Sequence, residues 1–411
     1  MDAPYPFMSE QLPDSFDEHF MAKALTLAEA ALYVPTPNPR VGCVIVQDGQ
    51  VVAQGATQVA GQSHAEVMAL RDLAQKGLTC AGATVYVTLE PCSHHGKTPP
   101  CTDALIQAKP QRVVIAHVDP NPSVAGRGIA ALRQAGIEVT VGVLVREALE
   151  INQGFVSRMI LNRPYVWSKI AASMDCFTAL PDGQSQWITG ETARADGHHW
   201  RARSCVVLTG IGTVKADNPQ LNVRAVQTER QPRRAVIDPR LEIPLDAALL
   251  KDPGLLLFVA NPQAQQIEAV QNLGAQVIAL PMPDAPDRVD LQAVMAWLAE
   301  HDANEVHVEC GAGLNRALWQ AGCVDELLLY LAPVFLGHGR PMLDLPGIDQ
   351  LSEADLLSFV DQCQVGEDVR LRARSQARWE SLVQKVQERN AFAQRGTPWS
   401  TRLDQQQQRQ Q

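Results

Sequence analysis

Four side chains constrain this chain more than any others: His64, Glu66, Cys92 and Cys101. Two thiolates and one imidazole hold Zn2+ with three protein ligands and leave the fourth position for water. The metal brings the pKa of that water toward neutrality. A non-ligating acid, here Glu66, can take the water's proton and deliver it to a leaving amine. His64-Ala65-Glu66 opens an apolar run with helical spacing. Pro91-Cys92 follows an apolar, strand-like run from Ala83 to Leu89. The set therefore belongs on alternating helices and strands.

Ser63-His64-Ala65-Glu66 ahead of an apolar run also reads as a helix capping box, with Glu66 bonding back to Ser63. That reading leaves His64, Cys92 and Cys101 unexplained. The order His-x-Glu, then Pro-Cys and Cys, is that of the nucleobase deaminases. Their closing pair is Cys-x-x-Cys, whereas here eight residues separate Cys92 from Cys101, with His94, His95 and Lys97 among them.

A chain of 411 residues is too long for one ordinary domain, so two are expected. No run of about 18 uninterrupted apolar residues occurs, so no membrane span is predicted. The N-terminal stretch lacks a basic region followed by an apolar core, and cytoplasm is the expected compartment. Nine cysteines without framework spacing fit thiols and metal rather than disulfides. The net charge of −10 disfavours a long nucleic acid as partner, because phosphates demand basic surface. A small phosphorylated substrate needs only a few local cations.

Residues 1–13 read as a leader. A helix is predicted over 14–32, a hairpin over 42–47 and 51–55 turning at Asp48-Gly49, and a helix over 64–76. Strand 84–88, helix 102–108, strand 112–117, helix 128–135 and strand 138–143 complete a three-layer α/β domain over 14–150. Residues 151–163 are expected to be the linker, although helical character runs over 145–162. A second α/β series spans 164–375. Its predicted strands cover 165–171, 205–209, 234–238, 255–260, 277–280, 306–309, 326–332 and 369–373. Its helices cover 192–203, 291–300 and 315–321. The Gln-rich segment 376–411 is expected to be a disordered tail.

In the second series, Thr209-Gly210-Ile211-Gly212-Thr213 and Val308-Glu309-Cys310-Gly311-Ala312-Gly313 each run from a strand into a Gly-rich turn. Such turns let backbone N–H groups approach phosphate oxygens at a helix start. The full Gly-x-Gly-x-x-Gly is absent, and a tight connection explains either turn as well. Glu309, at a strand's carboxyl end, stands where open α/β sheets bind ligands; an exposed strand-end acid is the alternative.

The stretches TLEPCSHHGKTPPC, TPNPRVGCVIV and VDPNP resemble the deaminase half of the bifunctional riboflavin-biosynthesis deaminase/reductase family. KIAASMD, SQWIT, TGIGTVKADNPQLNVR and VECGAGLNRAL resemble its reductase half, and the halves fall in the family's order. The resemblance implies a cytidine-deaminase-like domain followed by a dihydrofolate-reductase-like domain that uses NADPH. It implies zinc on His64, Cys92 and Cys101, Glu66 as proton shuttle, and pyrimidine, ribose and phosphate contacts at Asn38, Lys97, Asp119 and Asn121. It implies NADPH contacts at Ala171, Trp187, Thr213, Asp217 and the turn Gly311, Ala312, Gly313, Leu314, Asn315 and Arg316. Ser185, Arg201, Leu221, Arg224 and Glu309 are implied as reductase substrate contacts. A guanidinium grips phosphate oxygens in pairs, which suits Arg201 and Arg224 to a 5′-phosphate; a surface ion pair is their alternative.

The implied reactions are removal of the 2-amino group of a diamino-ribosylamino-pyrimidinone 5′-phosphate, then reduction of ribosyl to ribityl. A homo-oligomer is expected. One departure stands out. Where this family has Ser-x-Asp-Gly and a basic residue, the chain has Ser173-Met174-Asp175-Cys176-Phe177. Two rival readings follow: a deaminase carrying a degenerate reductase fold, and a zinc-stabilised binding module with His94 or His95 as fourth ligand.

Overall fold

A computed structural model describes residues 15–33, 36–94 and 99–396. The expected leader and Lys97 lie outside them. The chain divides into two compact units, one of residues 1–161 with 380–411 and the other of residues 162–379.

The first unit runs α1 (Phe16–Ala30), β1 (Gly42–Gln47), β2 (Gln50–Ala56), α2 (Ala65–Gln75), β3 (Thr84–Val87), α3 (Cys101–Ala108), β4 (Arg112–Ile115), α4 (Arg127–Gln134), β5 (Glu138–Val141) and α5 (Val145–Leu161). The sheet order is β2-β1-β3-β4-β5. β1 and β2 form the predicted hairpin, and β3, β4 and β5 are parallel. Helix α1 starts at a Ser15 capping box with Glu18 and buries Phe20, Met21, Ala24, Leu25 and Ala28, a stripe with helical spacing. That stripe packs with Val44, Val46, Tyr86 and Val114 of the sheet.

The second unit runs β6 (Tyr165–Ser173), β7 (Phe177–Ala179), α6 (Glu191–Arg203), β8 (Val206–Gly210), α7 (Ile211–Asp217), β9 (Arg233–Ile237), β10 (Leu256–Val259), α8 (Ala264–Gln271) and β11 (Gln276–Ala279). It continues β12 (Pro281–Met282), β13 (Ala285–Val289), α9 (Leu291–Glu300), β14 (Glu305–Val308), α10 (Ala312–Gln320), β15 (Glu326–Ala332), β16 (Arg340–Pro341), β17 (Leu357–Val365) and β18 (Asp368–Ser375), and ends in the first residues of α11 (Gln376–Gln394), which from Glu380 onward belongs to the first unit. Its main sheet has the order β11-β10-β9-β8-β14-β6-β15-β18-β17. Strands β11 to β15 in that order are parallel, and the β17–β18 hairpin closes one edge. A buried polar layer on this sheet pairs Arg203 with Glu305 and Arg372 with Glu326, beside Trp167 and Trp200.

Three expectations are corrected. Residues 151–161 are not a linker: α5 runs through them, with a kink at Asn152, and buries Ile151, Asn152, Phe155 and Val156. Residues 376–394 are not disordered, because they form α11. Its Trp379, Leu382, Val383, Val386 and Ala393 are buried, a 3.6-residue stripe that the polyglutamine end obscures. Residues 397–411 lie outside the described part. The capping box at Ser63 is not formed. His64 is the N-cap of α2 and makes no side-chain cap bond, so Glu66 stands in the first turn free of that duty.

Candidate active sites

The first site lies where two helix starts meet the segment after β3. His64 caps α2, Cys101 opens α3, and Cys92 follows Glu90-Pro91. The His64 Nδ1 lies 3.3 Å from the Cys101 Sγ and 3.5 Å from the Cys92 Sγ. All three donor atoms lie within 4.8 Å of one another. The Cys101 N–H donates to the Cys92 Sγ at 3.3 Å. The hydrogen bond from Cys101 and the nearby imidazole hold the Cys92 thiol well below its usual range. Two thiols and an imidazole at this spacing fit Zn2+, with His64 Nδ1, Cys92 Sγ and Cys101 Sγ as its ligands. His94 is not part of the group, and His95 is not among the described residues.

Glu66 is 4% exposed, and burial, helped by the Cys92 charge, pushes its carboxyl up to about 7. Asp119 follows β4, is buried, and lies close enough for its charge to act on His64. It accepts the Asn121 N–H at 2.8 Å. Asn38 is half-buried in the loop before β1.

Sequence reasoning missed Glu90. Its buried carboxylate accepts four backbone N–H groups, from Asp119 (3.1 Å), Gly126 (2.8 Å), Gly128 (2.9 Å) and Ile129 (3.2 Å). It ties the zinc arm to the loop after β4. Gly128 must be glycine here, since a Cβ would sit 2.2 Å from the Pro91 carbonyl oxygen. Glu90→Gln presents an NH2 group to backbone donors. The first unit is expected to lose about 1–3 kcal/mol, the cost of buried donors left unpaired. Thermal unfolding of the variant checks this, and an unchanged midpoint defeats it.

The second site lies at the carboxyl ends of β6, β8 and β14. Glu309 follows β14 and is gripped by Arg201, whose Nε lies 2.5 Å from Oε1 and whose NH2 lies 2.7 Å from Oε2. The His307 Nε2 is 3.2 Å from the same Oε1. Burial pushes the Glu309 carboxyl up, but the Arg201 guanidinium overrides it and holds the group well below the usual range. Arg201 also donates to the Asn222 carbonyl. Its charge is thus matched by Glu309 within the unit. Arg224 is exposed and, among the described residues, its guanidinium pairs with the neutral Asn222 side chain and with no carboxylate, which leaves its charge available to an anion.

Leu221 takes a left-handed φ of 52° and its side chain is packed in the core, which leaves only its backbone for a ligand. Asn315 is buried and spends its amide on Ser168 and Cys310, which fastens α10 to β6. Ser185 is half-buried in the loop before α6, and Trp187 is exposed with Arg194 4.3 Å from its ring. Lys169 on β6 was not singled out from sequence. Burial pulls its ammonium below the usual range, against the pull of Glu309.

A cavity of ≈ 750 Å3 opens at the β8–α7 turn and the start of α10. Gly210 and Gly212 line it from the β8–α7 turn, Gly313, Leu314 and Arg316 from α10, and Arg288 from β13. A Cβ at Gly212, Gly311 or Gly313 would meet nothing within 4 Å, so backbone at these turns is open to a ligand. Helix α10 begins at Gly311 without a side-chain cap, which leaves its first N–H groups for phosphate oxygens. The residues present therefore fit a dinucleotide. Arg316 pairs with Asp344 at 2.7 Å. Thr213 lies on α7 and is half-buried, and Asp217 ends that helix exposed. Neither they nor Ala171 on β6 line this cavity.

The Cys176 departure resolves differently from the sequence expectation. Cys176 adopts a φ of 66° despite its side chain. The turn is held by Cys176 N–H to the Ser173 carbonyl (2.9 Å), by Met342 N–H to the Cys176 carbonyl (3.0 Å), and by Asp175, which accepts from Leu336 and Gly337. Phe177 stacks edge-on with His338. Left-handed backbone costs a β-carbon residue about 1–2 kcal/mol, partly offset by the extra unfolded-state freedom of glycine. Cys176→Gly is therefore expected to raise the second unit's melting temperature by about 2 °C. A fall in that temperature refutes the account.

A chain with a zinc-dependent, amine-removing unit and an α/β unit shaped for a dinucleotide is a two-function enzyme, a deaminase joined to a reductase. Residues 14–117 match the family model for the cytidine and deoxycytidylate deaminase zinc-binding region, and residues 164–371 match that for the RibD C-terminal domain. The chain belongs to the RibD family of riboflavin biosynthesis proteins, the bifunctional, zinc- and NADPH-dependent deaminase/reductases. It is 44% identical over 366 residues to riboflavin biosynthesis protein RibD of Escherichia coli K12, covering 86% of this chain and 98% of that one. Its structure is similar to Acinetobacter baumannii RibD, with a TM-score of 0.79 and 40% identity over 87% of this chain and 98% of that one. It is also similar to a diaminohydroxyphosphoribosylaminopyrimidine deaminase/5-amino-6-(5-phosphoribosylamino)uracil reductase from Thermotoga maritima, with a TM-score of 0.77 and 31% identity over 88% and 99% of the two chains. Among the described residues no helix is long and apolar enough to cross a membrane.

Proposed function

We propose that the first unit removes the 2-amino group of a diamino-ribosylamino-pyrimidinone 5′-phosphate, and that the second reduces the ribosyl group of the product. The observation that carries the first step is the convergence of His64, Cys92 and Cys101 beside buried Glu66. When bound there, zinc supplies Lewis acidity that activates water. Glu66 accepts a proton from the attacking water and passes it to the departing ammonia, so the ring C–N bond is exchanged for C=O. Asp119, Asn121 and Asn38 orient the pyrimidine and ribose, and Lys97 meets the phosphate.

In the second unit, NADPH supplies hydride when bound, with its phosphates at the start of α10 in the Gly311–Arg316 segment, and with Thr213 and Asp217 of α7 among its other contacts. Ala171 and Trp187 complete the cofactor contacts. Arg224 receives the substrate phosphate, Ser185 and the Leu221 backbone hold the sugar, and Arg201 fixes Glu309. Lys169 and Glu309 are the groups placed to hold or move a proton at the reacting sugar.

Nine free thiols suit a reducing compartment, in line with a cytoplasmic enzyme. Strand β17 ends its sheet with Leu357 and Phe359 exposed, a face suited to a second copy of this chain. Light scattering tests that: a monomer mass refutes the homo-oligomer.

One assay tests both steps. Purified chain receives the diaminopyrimidine phosphate, and ammonia release and NADPH consumption are followed together. Equal amounts are expected. Ammonia without NADPH loss would leave a deaminase with an inert second unit.

A further inference from the structure

Helix α11 lies beyond the part of the chain matched by the family models, which ends at residue 371. From Glu380 onward it belongs to the first unit, and it reaches the backbone beside the first site. Asn390 is 4% exposed, and its Oδ1 accepts the N–H of fully buried Val118 at 2.8 Å. Its Nδ2 has no partner among the described residues, so within them the side chain is spent on that one contact. Val118 is followed by Asp119, whose N–H goes to Glu90, and the Asp119 carboxylate takes the Asn121 N–H. Consecutive anchors thus fix the segment 118–121, and the first of them comes from α11. Two more bonds seat the helix end. The Gln394 Nε2 donates to the Val141 carbonyl at 2.8 Å, and Arg133 donates to the Ala393 carbonyl at 2.6 Å.

We propose that α11 is a built-in part of the deaminase unit, and that Asn390 is a positioning residue for the substrate-binding segment Asp119–Asn121. The chemistry is specific. Val118 N–H lies past the end of β4, where the sheet no longer supplies an acceptor, and the residue is fully buried, so its amide needs a partner from elsewhere in the fold. An apolar side chain at position 390 would fill the same space and leave that N–H unpaired. The strand end would then shift to find a partner, and Asp119 with it. The inference rests on the reading of Asp119 and Asn121 as substrate contacts.

The test uses the full chain. Asn390→Leu is expected to raise the deaminase KM about tenfold, the scale of one lost buried hydrogen bond, with kcat within about threefold. Zinc content and reductase rate in the same preparation stay unchanged, and amide exchange at Val118 and Asp119 accelerates. Asn390→Asp keeps an acceptor oxygen and is expected to restore KM to within about threefold. An unchanged KM in Asn390→Leu overturns the positioning role. So does a parallel loss of zinc and both activities, which marks general destabilisation. Asp119→Asn tests the underlying reading separately: an unchanged KM there removes the substrate contact, and the positioning role with it. Exchange at Val118 still reports whether the Asn390 bond exists.

Discussion

Glu66→Gln is expected to lower the deaminase kcat by at least about 10³-fold while zinc stays bound and the reductase rate is unchanged. Glu66 is not among the three donor atoms, so its loss does not remove a ligand. Glutamine has the same shape and fills the same buried pocket in the first turn of α2. It cannot accept the water's proton or return one to the amine, and such proton transfer is worth about 10²–10⁴-fold. Zinc analysis, ammonia release and NADPH consumption on one preparation decide the matter. A variant that loses zinc in proportion to activity would show Glu66 to be structural. Full ammonia release would show the proton to travel elsewhere.

The largest stability effect is expected at Glu326→Ala, about 3–5 kcal/mol against the second unit. Glu326 is fully buried on β15, 2.5 Å from the Arg372 Nε, and accepts the Tyr165 hydroxyl at 3.0 Å. Alanine removes a carboxylate from a buried guanidinium and leaves a void. Glu326→Gln keeps an acceptor for Tyr165 and is expected to cost less. Burial raises the Glu326 carboxyl, but Arg372 outweighs it and the net shift is downward. A depressed folded pKa adds stability above the unfolded value, here 4.5, and that stability is lost as pH falls through the lower folded value. The gap between wild type and variant should therefore be full at neutral pH and narrow only below about 4.5. Tryptophan fluorescence in denaturant reads the unit directly, since Trp167 and Trp200 lie in the same buried layer. A gap that does not narrow at all as the pH falls below about 4.5 would show that packing, not the ion pair, carries the effect.

The zinc set and Glu66 were legible because metal chemistry demands particular residue types at helix starts and strand ends. The parallel strands were legible because runs such as Val206–Leu208 and Leu256–Val259 are apolar throughout. Short or polar elements escaped. Helix α7 holds a single buried residue, and the edge strand β17 alternates too weakly against its exposed Leu357 and Phe359. Helix α11 escaped because its apolar stripe sits among glutamines.

The sequence alone determined the order of the units, the residue types gathered as His64, Cys92 and Cys101, and the Gly-rich turns, since these depend on residue type and local spacing. Tertiary structure alone decided the partners of side chains that many positions could satisfy. It matched Arg201 to Glu309, set Asn315 to fasten α10, and held Cys176 in a glycine's conformation. It also brought Asn390 to Val118 and Glu90 to the loop after β4. A buried donor takes whichever acceptor the packed chain delivers, and that choice is made by the whole core rather than by neighbours in sequence.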